Sequence, residues 1–217
     1  MEIAMSYIPI LYTPRLTLRP FTLADAARVR ELAGDARIAA TTANIPHPYP
    51  EGLAEIWIQS HAPLAQDSRQ FTFAVTLAGT RTPEREMDLL DTGHLIGAVS
   101  LILSSDLAMG RAELGYWIGV PYWHRGFATE AAYAVVTFGF QRLGLRRIFA
   151  RHVTHNYASG RVLQKLGMTH EGTLPEQFAK DNEVFDLESY AILKDEWLRT
   201  RARHRFPALA RTLQSVG

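Results

Sequence analysis

Gly126 stands where an apolar strand, Ala112 to Val120, turns through Pro121, Tyr122 and Trp123 straight into an amphipathic helix. A junction of this kind can hold a phosphate, because the backbone N–H groups that open a helix have no intrahelical acceptors and the helix dipole adds partial positive charge there. A glycine lets the anion come close, and His124 and Arg125 make the turn basic. Pro121 removes a ladder donor and marks where strand pairing stops. An ordinary helix start carries the same signature, so the junction by itself leaves a ligand loop and a plain N-terminus both open.

Side chains able to move protons lie nearby. Glu113 shares a strand face with Gly115, Trp117 and Gly119 by the two-residue period, which makes it the candidate general base. The alternative is a carboxylate ion-paired to a neighbouring strand. His94, His152 and His155 are further candidates for a proton relay, each with a structural or exposed histidine as the alternative. No histidine spacing suggests a metal site. The absence of cysteine excludes disulfides, thiolate ligands and a cysteine acyl-enzyme together.

The elements that must position these groups follow from periodicity. Leu16 and Leu18 alternate with polar neighbours in a strand over 13–19, and Thr22 with Asp25 opens a helix over 23–33. A second helix is expected over 51–65, then strands over 70–78 and 94–103, separated by a polar insertion at 79–93 that reads as a solvated loop or a partner contact. After the strand at 111–120, Phe127, Ala131, Val135 and Phe138 fall on one face of a helix over 127–142, with Gly144 as its cap. A strand at 147–154, a short helix at 158–166 closed by Gly167, and a last strand at 184–193 complete the pattern.

Length and composition bound the rest. With 217 residues, 47% of them hydrophobic, the chain can bury a full core, and the reading is one domain over 1–198 followed by a basic tail at 199–217. A formal charge of +1 argues against a dominant nucleic-acid footprint, although the tail, with Arg199, Arg201, Arg203, Arg205 and Arg211, is either a ribosomal RNA contact or a solvated terminus. No leader pattern and no run near the ~18 apolar residues of a membrane span are seen. The expectation is a cytoplasmic protein with no membrane contact, monomeric or a homodimer.

The arrangement Trp123-x-x-Gly126-x-Ala128-Thr129-Glu130-Ala131 resembles motif A of the GCN5-related N-acetyltransferase (GNAT) superfamily, where Arg or Gln usually stands at the Trp123 position. With Trp123 it is similar to the RimJ/RimL-like branch, as are Tyr12 to Arg19 and the later pattern Asn156-x-x-Ser159-x-x-Val162-Leu163-x-Lys165-Leu166-Gly167-Met168. The resemblance covers about residues 10–195. It implies an α/β fold (an α+β mixed sheet) with splayed central strands and helices on both faces, and acetyl-CoA as cosubstrate with no metal. It also implies that the backbones of Ile118, Gly119 and Val120 bind the pantetheine arm, that His124, Arg125, Gly126, Phe127, Ala128 and Thr129 hold the pyrophosphate, and that the Asn156 amide lies by the pantetheine. A tyrosine often protonates the leaving thiolate in this family. Leu163 occupies that position here, so the resemblance hands the role to Ser159, with helix capping or packing as the alternative.

The implied activity is acetyl transfer to a primary amine by direct attack in a ternary complex. A protein or peptide α-amine, pKa about 7.7–8.0, is ~10% or more neutral at pH 7, whereas a lysine near 10.4 is under ~0.1% neutral. Sparse catalytic equipment therefore fits an N-terminal or small-molecule α-amine better than a lysine, and the resemblance implies an N-terminal acceptor of the ribosomal-protein-alanine type. The alternatives are a small amine (polyamine, amino acid or antibiotic) and a non-catalytic acyl-CoA sensor. Tyr49, Trp57 and Phe178, with His47 and Lys180, are expected at the acceptor side, in segments around 40–60 and 170–183.

Overall fold

The structure, a computed structural model, describes residues 7–78 and 95–201. The insertion at 79–93, His94 and the tail beyond Arg201 lie outside the described residues. Strands β1 (Leu11–Tyr12), β2 (Leu16–Arg19), β3 (Gln70–Leu77), β4 (Leu95–Leu103), β5 (Arg111–Ile118), β6 (Arg147–Val153), β7 (Thr169–Lys180) and β8 (Glu183–Leu193) form one sheet in the order β1-β2-β3-β4-β5-β6-β8-β7. Every neighbouring pair is antiparallel except β5 and β6, which run parallel. The mixed sheet expected from the sequence is therefore present.

Helices cover both faces. On one face, α1 (Ala26–Ala33), α2 (Ala36–Ala39) and α3 (Leu53–Gln59) bury Val29, Leu32, Ile38 and Ile58 against Ala74, Ala98 and Trp117, which lie side by side on β3, β4 and β5. On the other, α5 (Phe127–Gln141) drives Ala131, Val135 and Phe138 into Phe71, Phe73, Val99 and Leu114. Phe138 meets Phe71 and Phe73 edge-on at centroid distances of 5.6 and 5.5 Å. Trp197 of α7 (Lys194–Arg201) is fully buried beside Tyr133 of α5, 4.7 Å between rings, so the chain remains packed on this layer after the last strand.

Three expectations are corrected. The helix expected over 51–65 is two, α3 and α4 (His61–Gln66), and Pro63 sits in the first turn of α4, where a missing N–H costs no intrahelical bond. The segment 170–183, where the sequence pattern placed no element, is mostly the strand β7 in a long hairpin with β8. The motif strand ends at Ile118 rather than at 120, and Val120–Tyr122 form a 3-10 turn. The Thr22–Asp25 signal marks a real helix entry: Asp25 accepts the Thr22 N–H at 2.9 Å and also holds Arg19 in a buried two-pronged ion pair, both bonds 2.8 Å.

Candidate active site

The parallel pair β5/β6 is short. Arg111 to Glu113 pair with Arg147 to Phe149, and there the pairing stops, while β5 continues on β4 to Ile118 and β6 continues on β8 to Val153. The two central strands thus separate beyond Glu113 and Phe149, leaving the β6-facing edge of β5 open from Leu114 onward.

The turn at 123–126 and the start of α5 follow directly from that edge. Gly126 caps α5 at φ +79°, and His124 also lies in the left-handed region at φ +62°. Glu130 N–H, bonded to Gly126 O at 3.1 Å, closes the first helical turn, so the N–H groups of Phe127, Ala128 and Thr129 have no intrahelical acceptors. The side chains of Phe127 and Thr129 are buried, which leaves only their backbones to a ligand, whereas His124 and Arg125 are exposed. A Cβ on Gly126 would meet only Arg15 Nη2, at 3.5 Å, and otherwise open space. An anion-binding helix start fits this arrangement.

Trp123, the departure from the usual motif, has a structural role. Its indole Nε1–H donates to Ile118 O at 2.5 Å and closes the turn onto the end of β5. Other backbone groups expected to hold a pantetheine are engaged as well: Gly119 N–H donates to Ile96 O at 2.8 Å, and Gly119 O and Val120 O accept from Tyr122 and Trp123 N–H. The free edge on β5 therefore lies before residue 118 more than along 118–120.

Across the opening stands α6 (Tyr157–Lys165), capped by Asn156, whose Oδ1 accepts Ser159 N–H at 3.1 Å. That use of Oδ1 leaves the Nδ2 donors of Asn156 for another partner. Ser159 is thus not the cap, and its hydroxyl lies 2.7 Å from Tyr116 Oη. Burial raises the Tyr116 phenol well above its usual range, so it stays protonated. Sequence reasoning passed over Tyr116. The two-residue period carries the signal, since it puts Tyr116 on the face opposite Glu113 and Trp117, toward α5 and α6.

Glu113 falls in the alternative reading. Arg151 of β6 donates Nε and Nη2 to its two carboxylate oxygens at 3.0 and 2.9 Å, on the face away from Ser159. The structure therefore does not bring the two expected catalytic residues together. A hollow of about 380 Å³ lies beside this pair, against Ile102, Arg111, Arg147 and Phe149, but at the paired end of the strands rather than the splayed end. Of the histidines, His152 is buried and stacked on Tyr190, with Nδ1 bonded to Val153 O at 2.8 Å, and a Cβ at Gly160 would sit 3.1 Å from its Nε2. His155 is exposed beside Phe185.

The expected acceptor residues divide. Phe178 pairs with Phe185 across the β7/β8 hairpin and stacks on it at 6.0 Å. Two residues on, Lys180 Nζ donates to Ala39 O, Thr42 O and Ile45 O, at 2.5, 2.9 and 2.8 Å, tying the hairpin end to the segment after α2. Trp57 packs into the α1/α3 layer, 5.0 Å from Phe21 and 4.5 Å from His61. Tyr49 is half-buried on the same layer, and burial, with a smaller contribution from Glu55, raises its phenol. Among the described residues, no helix is long and apolar enough to cross a membrane.

Comparisons with known proteins agree with this geometry. Residues 15–169 match the family model described as "Acetyltransferase (GNAT) domain". The uncharacterized N-acetyltransferase YoaA of Bacillus subtilis (strain 168) is 33% identical over 186 residues, covering 86% of this chain and 97% of that protein. Among solved structures, RimL, a ribosomal L7/L12 α-N-protein acetyltransferase in complex with coenzyme A, superposes with a TM-score of 0.73 at 17% identity, covering 86% of this chain and 99% of that one. RimJ of Mycobacterium smegmatis, in complex with CoA-disulfide, superposes with a TM-score of 0.73 at 20% identity, covering 92% and 96%.

Proposed function

This chain belongs to the GNAT acetyltransferase family, and from that premise we propose that it moves the acetyl group of acetyl-CoA to the α-amine of a protein or peptide N-terminus, by direct attack in a ternary complex. The observation that carries the reading is the hydroxyl pair Tyr116–Ser159, one on β5 beyond its last pair with β6 and the other in the first turn of α6, in a fold that also offers a helix start at Gly126 suited to an anion. The free edge of β5 and the Asn156 amide would hold the pantetheine arm, and the N–H groups of Gly126 to Thr129 the pyrophosphate.

Acetyl-CoA supplies the thioester carbonyl, at which a C–N bond forms and the C–S bond breaks. The chain has to supply position and one proton. In the arrangement in which Tyr116 donates to Ser159 Oγ, the serine O–H turns outward and can protonate the departing sulfur, while the proton that the attacking nitrogen sheds, passed through water, restores the serine. Glu113, with both oxygens on Arg151, is a poor fit for a dedicated base. An amine that is partly neutral already removes that need, and this favours an α-amine over a lysine. At 17% identity the RimL likeness supports the fold, so the acceptor rests on this site argument.

The test is a mass-shift screen in which protein and acetyl-CoA are incubated with a peptide bearing a free N-terminus, its N-terminally blocked counterpart containing lysine, and spermidine. One acetyl group on the free α-amine alone supports the reading. Modification of spermidine alone moves the assignment to a small-amine enzyme, and cofactor binding without release of CoA points to a sensor.

A further inference from the structure

We infer that Arg15 is a positioning residue for the pyrophosphate site: it grips the outer side of the 123–126 turn and aims the Gly126 N–H at the ligand. The inference rests on the acetyl-CoA reading above. Arg15 follows β1 and precedes β2, 115 residues from its partner Glu130 in the first turn of α5. Glu130 is buried, and its carboxylate gathers four contacts from one short stretch: Thr13 Oγ1–H at 2.6 Å, Arg15 N–H at 2.9 Å, Arg15 Nε–H at 2.7 Å and Arg15 Nη2 at 2.6 Å. The guanidinium also lies over the Phe127 ring, 4.8 Å from its centroid. Both ends of Arg15, backbone and side chain, are thereby fixed against α5.

One guanidinium nitrogen, Nη1, is clear of Glu130 and faces the turn. Arg15 Nη1–H donates to Arg125 O at 2.9 Å. In a planar trans peptide the C=O and the N–H of the next residue point in opposite directions. Holding Arg125 O toward Arg15 therefore turns the Gly126 N–H away from it, to the open side of the turn beside the unpaired N–H groups that start α5. Gly126 at φ +79° is the residue with the most freedom to flip this peptide, so an external clamp has a task there. The arginine stays half-exposed, as expected of a side chain that works at a ligand-facing turn rather than in the core.

Removing the side chain leaves Glu130 with Thr13 Oγ1–H and the residue-15 backbone N–H, so the fold is expected to survive. The test compares wild type, Arg15→Met, which keeps an apolar stem on Phe127, and Arg15→Lys. Each is assayed with acetyl-CoA and with S-acetylpantetheine, which lacks the pyrophosphate, and CoA binding is followed by calorimetry. Expected for Arg15→Met is an acetyl-CoA KM raised about tenfold or more with kcat nearly unchanged, partial recovery in Arg15→Lys, and an unaltered kcat/KM for S-acetylpantetheine. An unchanged acetyl-CoA KM in Arg15→Met, or an equal loss with S-acetylpantetheine, overturns the inference. A wild-type protein that binds no CoA overturns the underlying acetyl-CoA reading instead, and the inference with it.

Discussion

Tyr116 Oη and Ser159 Oγ lie 2.7 Å apart, one on the strand that leaves the parallel pair and the other in the first turn of α6. They face the gap from opposite sides. Burial holds the phenol protonated, and it can donate to Ser159 Oγ or to Ser159 O, 3.3 Å away; in the first arrangement, the one proposed for catalysis, the serine keeps the outward proton.

Ser159→Ala is expected to lower kcat by about ten- to a hundredfold with CoA affinity retained. Tyr116→Phe should cost a similar factor. Because the two hydroxyls form a single unit, the double variant should be no slower than the worse single one, as a double-mutant cycle in kcat will read. Multiplying effects would mean that the two groups act separately.

Gly126→Val puts a β-branched residue at φ +79° and a side chain against Arg15 in the turn that shapes the anion site, so CoA binding should be lost while circular dichroism reports an intact fold. Gly126→Asn separates the two causes. Asparagine tolerates the left-handed region, so that variant should keep wild-type stability and still bind CoA weakly, measured by calorimetry.

His61 gives the protein an acid-sensitive core. It is buried between Phe21 and Trp57, neither ring nitrogen has a partner among the described residues, and burial lowers its pKa from 6.5 to about 4. Above pH 6.5 folded and unfolded chains both carry a neutral ring. Between there and about pH 4 the unfolded state takes up a proton that the folded state refuses, so stability falls on acidification by about 1.4 kcal/mol per pH unit. His61→Phe should remove that slope in urea titrations across the window, and an unchanged slope would place the titrating group elsewhere.

Lys180→Met cuts the tie between the hairpin end and residues 39–45, at a cost of about 1–3 kcal/mol for the charge-assisted bonds. Burial lowers the pKa of this ammonium, but three carbonyls hold its proton in place. The acceptor KM should rise severalfold with the acetyl-CoA KM unchanged. An effect on acetyl-CoA alone would put the tie outside the acceptor side.

Local patterns were legible in the sequence where one physical rule dominated. The apolar stripe of α5 and the glycine at its start lie where spacing placed them, whereas the cap of α6, weighed for Ser159, is Asn156. The strand β7 was hidden because register shifts at His170/Gly172 and Leu174/Phe178 break its alternation and most of its residues face solvent. The α3/α4 division was hidden because apolar spacing runs through Ser60 and His61 without a gap. What no local rule reports is partnership across the chain: Arg151 taking Glu113, Tyr116 meeting Ser159, Arg15 reaching Glu130. Such pairs are products of sheet order and helix docking, and the first two changed the reading of a site residue.

The pH dependence of kcat/KM for a peptide with a free N-terminus, followed by release of CoA, addresses the central claim most directly. With no dedicated carboxylate base, the account predicts a profile that rises with deprotonation of the peptide's own α-amine, near pH 7.7–8.0, and that moves when a peptide of lower amine pKa is used. Glu113→Gln should leave the shape of that profile intact. A limb that stays fixed as the peptide is changed and vanishes in Glu113→Gln, or turnover confined to lysine side chains, would contradict the account.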